Sequence, residues 1–270
     1  MFAAFIGDAQ GNLHAQGKLD ARYEVSLGGI PLGKGAWTID VGHDRFTAAA
    51  SGGTGGLLRL IATGQGTSAS RGSVQNGQLI SSSFSSNIQS KGRVDDVRMV
   101  LSGGTVKEFS VDPPPGPAPD FVPLTEAHRR GVTDPMTGAL SRVPGNGDTF
   151  SSEACLRKVA VFDGRMRYDL SSSFKRLERV RSERGYQGTV VVCAVYFTPI
   201  AGYNTGRRVI KYLADMRDIE VWLAPIAGTR LMVPYRATIP TPFGVGVMQA
   251  TQFVSEPYPQ RATSNGLRAQ

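Results

Sequence analysis

The chain has 270 residues, of which 40% are hydrophobic and 19% are charged, and its formal net charge is +8. This composition argues against intrinsic disorder, and no run approaches the roughly 20 apolar residues that a membrane-spanning helix requires. The 33 glycines and 16 prolines favour many short strands joined by tight turns.

The positive charge is distributed along the whole chain. Binding of nucleic acid would favour clustered basic residues interleaved with aromatic side chains. The densest basic stretch, Lys175 to Arg184, is interrupted by Glu178 and Glu183, which is typical of a solvated strand or hairpin. We therefore predict no nucleic-acid partner.

The first residues resemble part of a secretory signal. Residues Met1 to Ile6 are apolar, and Leu13 to Gln16 resembles the small-residue end of such a signal, although no basic segment precedes them. We expect residues 1–17 to be a signal-peptide remnant and the protein to be exported to the periplasm.

Apolar and polar residues alternate in the first half of the chain, which predicts half-buried β-strands. Gly28 to Gly33 is predicted to be a turn, and Ser51 to Gly56 a glycine-rich loop. The predicted strands have their apolar positions at Leu19, Ala21, Tyr23, Val25 and Leu27, then at Trp37, Ile39 and Val41, and a third strand covers Arg45 to Ala50.

Gly28 and Gly33-Lys34 have the spacing of a phosphate-binding loop. That loop requires a Ser or Thr at the next position and a helix after it. Gly35 and a strand pattern follow instead, so we interpret this stretch as a hairpin.

Three further strands are predicted from Gln78 to Val111, separated by the turn pairs Lys91-Gly92 and Gly103-Gly104. Residues 112–123 contain six prolines and are predicted to be an extended loop. We expect this loop to belong to a single β-rich domain over residues 18–254.

Asp134-Pro135 indicates the start of a helix, because Asp134 can accept hydrogen bonds from free amides and proline is well tolerated at the first helical position. We predict a short helix over Met136 to Val143 that covers or plugs one end of the sheet. Asp163-Gly164 indicates a tight hairpin. The other predictions are a central strand over Val190 to Phe197, a helix over Gly206 to Asp218, strands over Ile219 to Leu223, Leu231 to Ile239 and Val245 to Phe253, and a flexible tail over residues 255–270.

Four sets of short motifs are distributed along the chain: Tyr23 with Gly28 to Gly33, Thr133 to Met136, Phe162 to Arg165 with Tyr168, and Glu220 to Leu223 with Val233 to Arg236. Together they resemble the bacterial family known as domain of unknown function 3108 (DUF3108), and the resemblance extends from Lys18 to Val254. It implies an exported envelope protein without an assigned activity, and a mainly β fold: a large curved antiparallel sheet, similar to the half-open or spiral barrels of lipoprotein carriers, with one or two short helices.

The two cysteines, Cys155 and Cys193, lack the paired spacing of a zinc site. In an exported protein an even number of cysteines favours a disulfide, which here would stabilise the fold by about 4 kcal/mol through loop closure. We predict a Cys155–Cys193 disulfide; buried free thiols are the alternative.

No catalytic or metal-binding pattern is evident. The sequence lacks a G-x-S-x-G elbow, and the three histidines, His14, His43 and His128, are scattered. We therefore predict that the protein is not an enzyme and has no metal or cofactor.

Three functional hypotheses follow. The first is a non-catalytic protein that supports the cell envelope and holds a lipid or lipoprotein segment in the concave face of its sheet. The second is a structural module that binds an envelope protein or an anionic envelope polymer through its arginines. The third is an unrecognised hydrolase in which His43 or His128 meets a serine and an acid. A densely filled interior would count heavily against the carrier hypothesis.

Overall fold

The computed structural model of the chain describes residues 16–55, 64–116 and 119–259. The predicted leader up to residue 15 and the predicted tail from residue 260 lie outside these ranges.

The first half of the chain forms seven consecutive strands, each paired with the next in an antiparallel ladder. They are β1 (Gly17–Leu27), β2 (Ile30–Val41), β3 (Arg45–Thr54), β4 (Gly64–Gln75), β5 (Gln78–Ser90), β6 (Arg93–Ser102) and β7 (Thr105–Asp112).

The second half contributes further strands and two short α-helices. In chain order they are β8 (Phe121–Val122), α1 (Pro135–Ala139), β9 (Ser141–Arg142), β10 (Arg157–Phe162), β11 (Arg167–Arg181), β12 (Arg184–Gly185), β13 (Gln187–Ala201), β14 (Tyr203–Asn204), α2 (Arg208–Asp215), β15 (Ile219–Pro225), β16 (Leu231–Thr241) and β17 (Gly244–Pro257).

Within the described residues, fifteen of these strands form one sheet. Its main path runs β10-β11-β13-β15-β16-β17-β1-β2-β3-β4-β5-β6-β7, while β9 pairs with β16 and β12 with β17. The strands β8 and β14 form a separate ladder. The path ends at β10 and β7 without closing, which confirms the predicted mainly β fold with a large open antiparallel sheet.

The segment from Arg130 to Thr133 bridges the two edges of this sheet. The amide of Val132 donates to the carbonyl of Gly104, at the start of β7, over 2.8 Å. The amide of Thr133 donates to Ala160 of β10 over 2.9 Å, and Phe162 donates back to Thr133. Unpaired strand edges invite association with other chains, so this bridge also protects them.

Helix α1 fills the space between the two halves of the sheet. Its residues Met136, Thr137 and Gly138 are buried, and it contacts β10 on one side and β4 and β5 on the other. The predicted helix is therefore present, but it lies between the two halves of the sheet rather than over one end, and it ends at Ala139 rather than at Val143. Leu140 is already extended, because Ser141 and Arg142 pair with β16.

Apolar side chains from both halves of the sheet fill the interior around α1. One cluster includes Leu19, Ile39 and Phe46 from the first half and Val192, Trp222 and Phe253 from the second. All six are almost completely buried. This packing argues against a ligand that lies in the middle of the molecule.

Two predicted boundaries need correction. β1 begins at Gly17, which was assigned to the leader, and β17 continues to Pro257, beyond the predicted start of the tail at residue 255. Gly17 is paired with Pro257, and the hydroxyl of Tyr258 donates to Asp40 over 2.6 Å. Residues 255–258 are therefore part of the fold.

Two predictions about loops also differ from the structure. The turn after β1 is confined to Gly28-Gly29, and Ser51 to Thr54 continues β3 instead of forming a loop. Strand β4 was not predicted, because its glycines, serines and alanine show no apolar alternation. Its backbone is nevertheless paired with β3 on one side and β5 on the other.

Candidate functional site

An apolar groove of about 420 Å³ lies near the β1–β2 turn, where β1, β2, β3 and β17 meet. Its volume is within the range of roughly 300–1,000 Å³ that is typical of small-molecule sites. The large apolar side chains that line it are Tyr23, Val25, Leu32, Trp37 and Met248.

The groove exists because its floor has very small side chains. Gly35 of β2 lies opposite both Tyr23 of β1 and Gly52 of β3, and Gly33 lies opposite Thr54. With no side chains at these glycines, the backbone of β2 and β3 lies at the bottom of a depression between larger residues. Ala36, Ala50, Ser51 and Gly53 complete the floor.

Tyr23 is held rigidly in the wall of the groove. Its hydroxyl donates to the carbonyl oxygen of Pro234 over 2.8 Å, across β17. Burial raises the pKa of Tyr23 well above its usual range, so the hydroxyl stays protonated. Tyr23 therefore offers an apolar ring to the groove and no charge.

Among the described residues that line the groove, Lys34 is the only charged one. Its ammonium lies 2.7 Å from the carboxylate of Glu24, and both side chains are largely exposed. The hydrogen bond to Glu24 raises the pKa of Lys34, which keeps this ammonium charged. Because Lys34 alternates with Gly33 and Gly35 along β2, its side chain projects from the opposite face of the sheet, towards Glu24, and the side lined by Tyr23 and Trp37 is apolar.

The cysteines predicted to pair, Cys155 and Cys193, are joined by a disulfide bond, with their Cα atoms 5.5 Å apart. Both are fully buried in a second apolar cluster, together with Val143, Leu223 and Met232. The bond attaches the turn Ser152–Ala154 to β13, away from the strands that form the groove. Its role is therefore structural.

The histidines are distributed over separate turns. His14 lies outside the described residues, and His43 lies between β2 and β3 beside Asp44, whose pKa is lowered by the hydrogen bond from Arg45. The Nδ1 atom of His128 accepts from the amide of Thr125 over 3.1 Å. In the parts of the chain that the structure describes, no group of three or more His, Cys, Asp or Glu side chains is arranged to hold a metal ion.

Sequence reasoning found the strands of the groove but not the groove itself. The glycines at positions 33, 35, 52 and 53 were interpreted as turn and loop residues. The pairing register of β2 and β3 decides that Gly35 lies opposite Gly52 and that Gly33 lies opposite Thr54. That register could not be deduced, because glycine carries no apolar pattern.

The sequence profile described as "Protein of unknown function (DUF3108)" matches residues 22–251. The chain belongs to the DUF3108 family. The resemblance stated for Lys18 to Val254 is therefore confirmed over residues 22–251. No curated protein matches the sequence of this DUF3108 member.

One solved structure is similar to this DUF3108 member: the beta-barrel-like protein of domain of unknown function DUF1849 from Brucella abortus. The two sequences are 9% identical, and the match covers 92% of this chain and 99% of that chain with a TM-score of 0.48.

Within the described residues, neither α-helix has the length and apolar character needed to cross a bilayer.

Proposed function

We propose that this DUF3108 member is a non-catalytic protein of the bacterial cell envelope that binds the acyl chain of a lipid or lipoprotein in the apolar groove. The observation that carries the proposal is the groove itself, which has an uncharged interior formed by Trp37, Met248 and paired glycines.

The chemistry of the groove fits a chain of methylene groups. Burial of each methylene contributes about 0.8 kcal/mol, and this gain requires no specific hydrogen bond. A polar ligand would instead lose its hydration against the side chains of Tyr23 and Val25, and the buried, unpaired indole N–H of Trp37 could return only one hydrogen bond.

The position of the groove determines how the ligand would be held. Because α1 and the apolar cluster fill the middle of the molecule, the acyl chain would lie at one end, with its head group near solvent. The filled interior counts against a carrier that holds its ligand in the concave face of the sheet, and the groove at one end takes the place of that site.

The remaining parts of the proposal have their own support. A buried disulfide is typical of proteins in oxidising compartments, which supports export to the periplasm. In the described part of the chain, no His, Asp or Glu lines the groove, so Ser51 and Thr54 have no general base beside them there. This supports a binding role rather than hydrolysis.

Quenching of tryptophan fluorescence by dibromostearic acid tests the proposal. Trp37 lines the groove, whereas Trp222, the second of the two tryptophans, is buried outside its lining. We expect saturable quenching of the Trp37 emission in the wild-type protein.

The variant Ala50→Leu fills the groove from its floor and should weaken this quenching about tenfold or more. The matched control Ala49→Leu makes the same change at an exposed neighbour on β3 that does not line the groove. Absence of quenching in the wild type, or equal quenching in both variants, would overturn acyl binding. Salt-sensitive capture of an envelope protein or polymer would then favour the interaction module.

A further inference from the structure

We infer that one end of the molecule docks on the surface of an anionic lipid bilayer. This end, called here the apolar tip, consists of four residues. Ile30 is the first residue of β2, and Ile239, Phe243 and Val245 lie around the β16–β17 turn. The inference goes beyond acyl binding and does not depend on it, although Val25 and Leu32 connect the tip to the groove.

The apolar tip is unusually exposed for its residue types. The exposed fraction is 83% for Phe243, 65% for Ile30, 46% for Val245 and 37% for Ile239. Single exposed apolar residues are common, but several of them on two neighbouring turns at one end of a protein mark a surface that contacts a membrane or a partner.

Backbone contacts fix the two turns of the tip side by side. The amide of Gly28 donates to the carbonyl of Val245 over 3.0 Å. A Cβ atom on Gly244, whose φ is +112°, would lie only 2.8 Å from the Cα atom of Gly28. The tip is therefore a preformed surface and not two independent loops.

Phe243 is held outward by its own turn. The hydroxyl of Thr241 donates to the carbonyl of Gly244 over 2.6 Å and accepts from the amide of Phe243 over 3.1 Å. The second bond pairs the amide of Phe243, so the aromatic ring can enter an apolar phase without taking an unpaired amide of its own residue with it.

Helix α2 adds positive charge to the same end. The hydroxyl of Tyr212 donates to the carbonyl of Pro240 over 3.0 Å, which anchors α2 to the β16–β17 hairpin. Arg207, Arg208 and Lys211 are exposed, and in the described part of the chain no carboxylate lies within ion-pair distance of them. The acids near this helix are Asp120, whose backbone carbonyl accepts from Thr205 just before Arg207, and Asp215 and Asp218, which lie at and beyond the last residue of the helix.

This combination favours a bilayer over other occupants. Apolar side chains beside unpaired cations match an interface in which anionic head groups cover acyl chains. A second copy of the chain, related by a twofold axis through the tip, would bring Arg208 and Lys211 towards the same cations of its partner. Like-charge repulsion makes that pairing unfavourable.

Flotation with vesicles tests the inference. We expect the wild-type protein to float with vesicles of phosphatidylethanolamine and phosphatidylglycerol and to remain in solution with phosphatidylcholine vesicles. The affinity of the double variant Ile30→Ser, Phe243→Ser for the anionic vesicles should be lower by about tenfold or more.

The control Leu156→Ser removes a side chain that is 66% exposed beside Cys155, away from the tip, and should bind as the wild type does. Because all three substitutions are at exposed positions, the variants should keep the wild-type melting temperature, which is checked in parallel. The variant Arg208→Glu, Lys211→Glu should lose binding to the anionic vesicles and most of its salt dependence.

Binding of the wild type to neither kind of vesicle would overturn the inference, as would equal binding of the Ile30/Phe243 and Leu156 variants. Tip-dependent dimers in sedimentation experiments would also overturn it. Fatty-acid quenching is measured without vesicles, so vesicle binding without quenching would refute only the acyl groove, and quenching without vesicle binding would refute only the membrane surface.

Discussion

Asp134 shows how one side chain links a local signal to the tertiary structure. Its carboxylate is completely buried and accepts from the amides of Met136 and Thr137 over 2.9 and 3.0 Å. It also accepts from the hydroxyls of Thr137 and Ser70 over 2.6 and 2.9 Å. The cap was predictable from Asp134-Pro135, whereas the contact with Ser70 requires the folded sheet.

The first prediction concerns this carboxylate. Asp134→Ala leaves buried amides and hydroxyls without an acceptor and should lower the free energy of unfolding by about 2–4 kcal/mol. Asp134→Asn retains a good capping group and should lower the free energy of unfolding by clearly less than Asp134→Ala does. Urea denaturation measures both, and equal losses would show that the hydrogen bonds of Asp134 contribute little.

The carboxylate of Asp169 makes a pH-dependent contribution to the free energy of unfolding. Its carboxylate lies 3.0 Å from Lys158 Nζ and 2.6 Å from Arg167 Nη1. Burial by itself would raise the pKa of Asp169, but the hydrogen bonds and charges of Lys158 and Arg167 outweigh it and lower the pKa.

Because the pKa is lower in the folded state, this stabilisation is present above the unfolded value of about 3.9 and is lost as the pH falls through the folded pKa. Asp169→Asn should therefore reduce the free energy of unfolding by about 1–3 kcal/mol at pH 7. The difference from the wild type should shrink below about pH 4. Urea denaturation at several pH values checks this, and a difference that is independent of pH would contradict it.

At the scale of elements, β13 contributes side chains to both apolar clusters, as β15 and β16 also do. Val190 and Val192 belong to the main cluster, and Val191 and Cys193 to the second one. The continuous apolar run from Val190 predicted a strand covered on both faces, and the structure gives it β11 and β15 as neighbours. The sequence could not show what covers its second face, which is the segment around Val143 and Cys155.

The disulfide between this segment and β13 gives the third prediction. The double variant Cys155→Ala, Cys193→Ala should lose up to about 4 kcal/mol of unfolding free energy, because the bond closes a loop with a sequence separation of 38. Denaturation with and without reductant measures the loss. Reductant should destabilise the wild type and leave the stability of the variant unchanged. Two titratable thiols in denatured, unreduced wild-type protein would contradict the Cys155–Cys193 pairing.

For the whole molecule, the contact between the two sheet edges decides whether an open sheet can enclose a core. Phe109 of β7 and Phe162 of β10 pack edge to face, with ring centroids 5.6 Å apart. Arg129, just before the bridging segment, lies over the ring of Phe109 at 4.6 Å. Side-chain packing thus joins the edges where the hydrogen-bonded ladder ends.

The fourth prediction tests this closure. Phe162 is fully buried, and Phe162→Ala should lower the free energy of unfolding by about 3–5 kcal/mol. The control Phe174→Ala removes a side chain that is 39% exposed on β11 and should cost less than about 1 kcal/mol. Amide hydrogen exchange should also accelerate at Val132 and Thr133 in the Phe162 variant, and unchanged protection there would contradict a role in closure.

The sequence by itself determined most of the strands, several of the turns and the start of α1. Alternation at Leu19 to Tyr23, turn pairs such as Gly103-Gly104 and the cap at Asp134 depend on interactions between near neighbours in the chain. These local preferences indicated many short strands joined by tight turns, and the family resemblance implied the large curved antiparallel sheet.

Only the tertiary structure decided that β4 is a strand, that the interior is filled around α1, and that paired glycines form an apolar groove near Trp37. Each of these features depends on which segments of backbone lie opposite one another, although they are distant in the sequence. Glycine and serine show no pattern of polarity that would predict such pairings. The apolar tip likewise depends on a contact between Gly28 and Val245, which lie far apart in the sequence and become neighbours only when β17 pairs with β1.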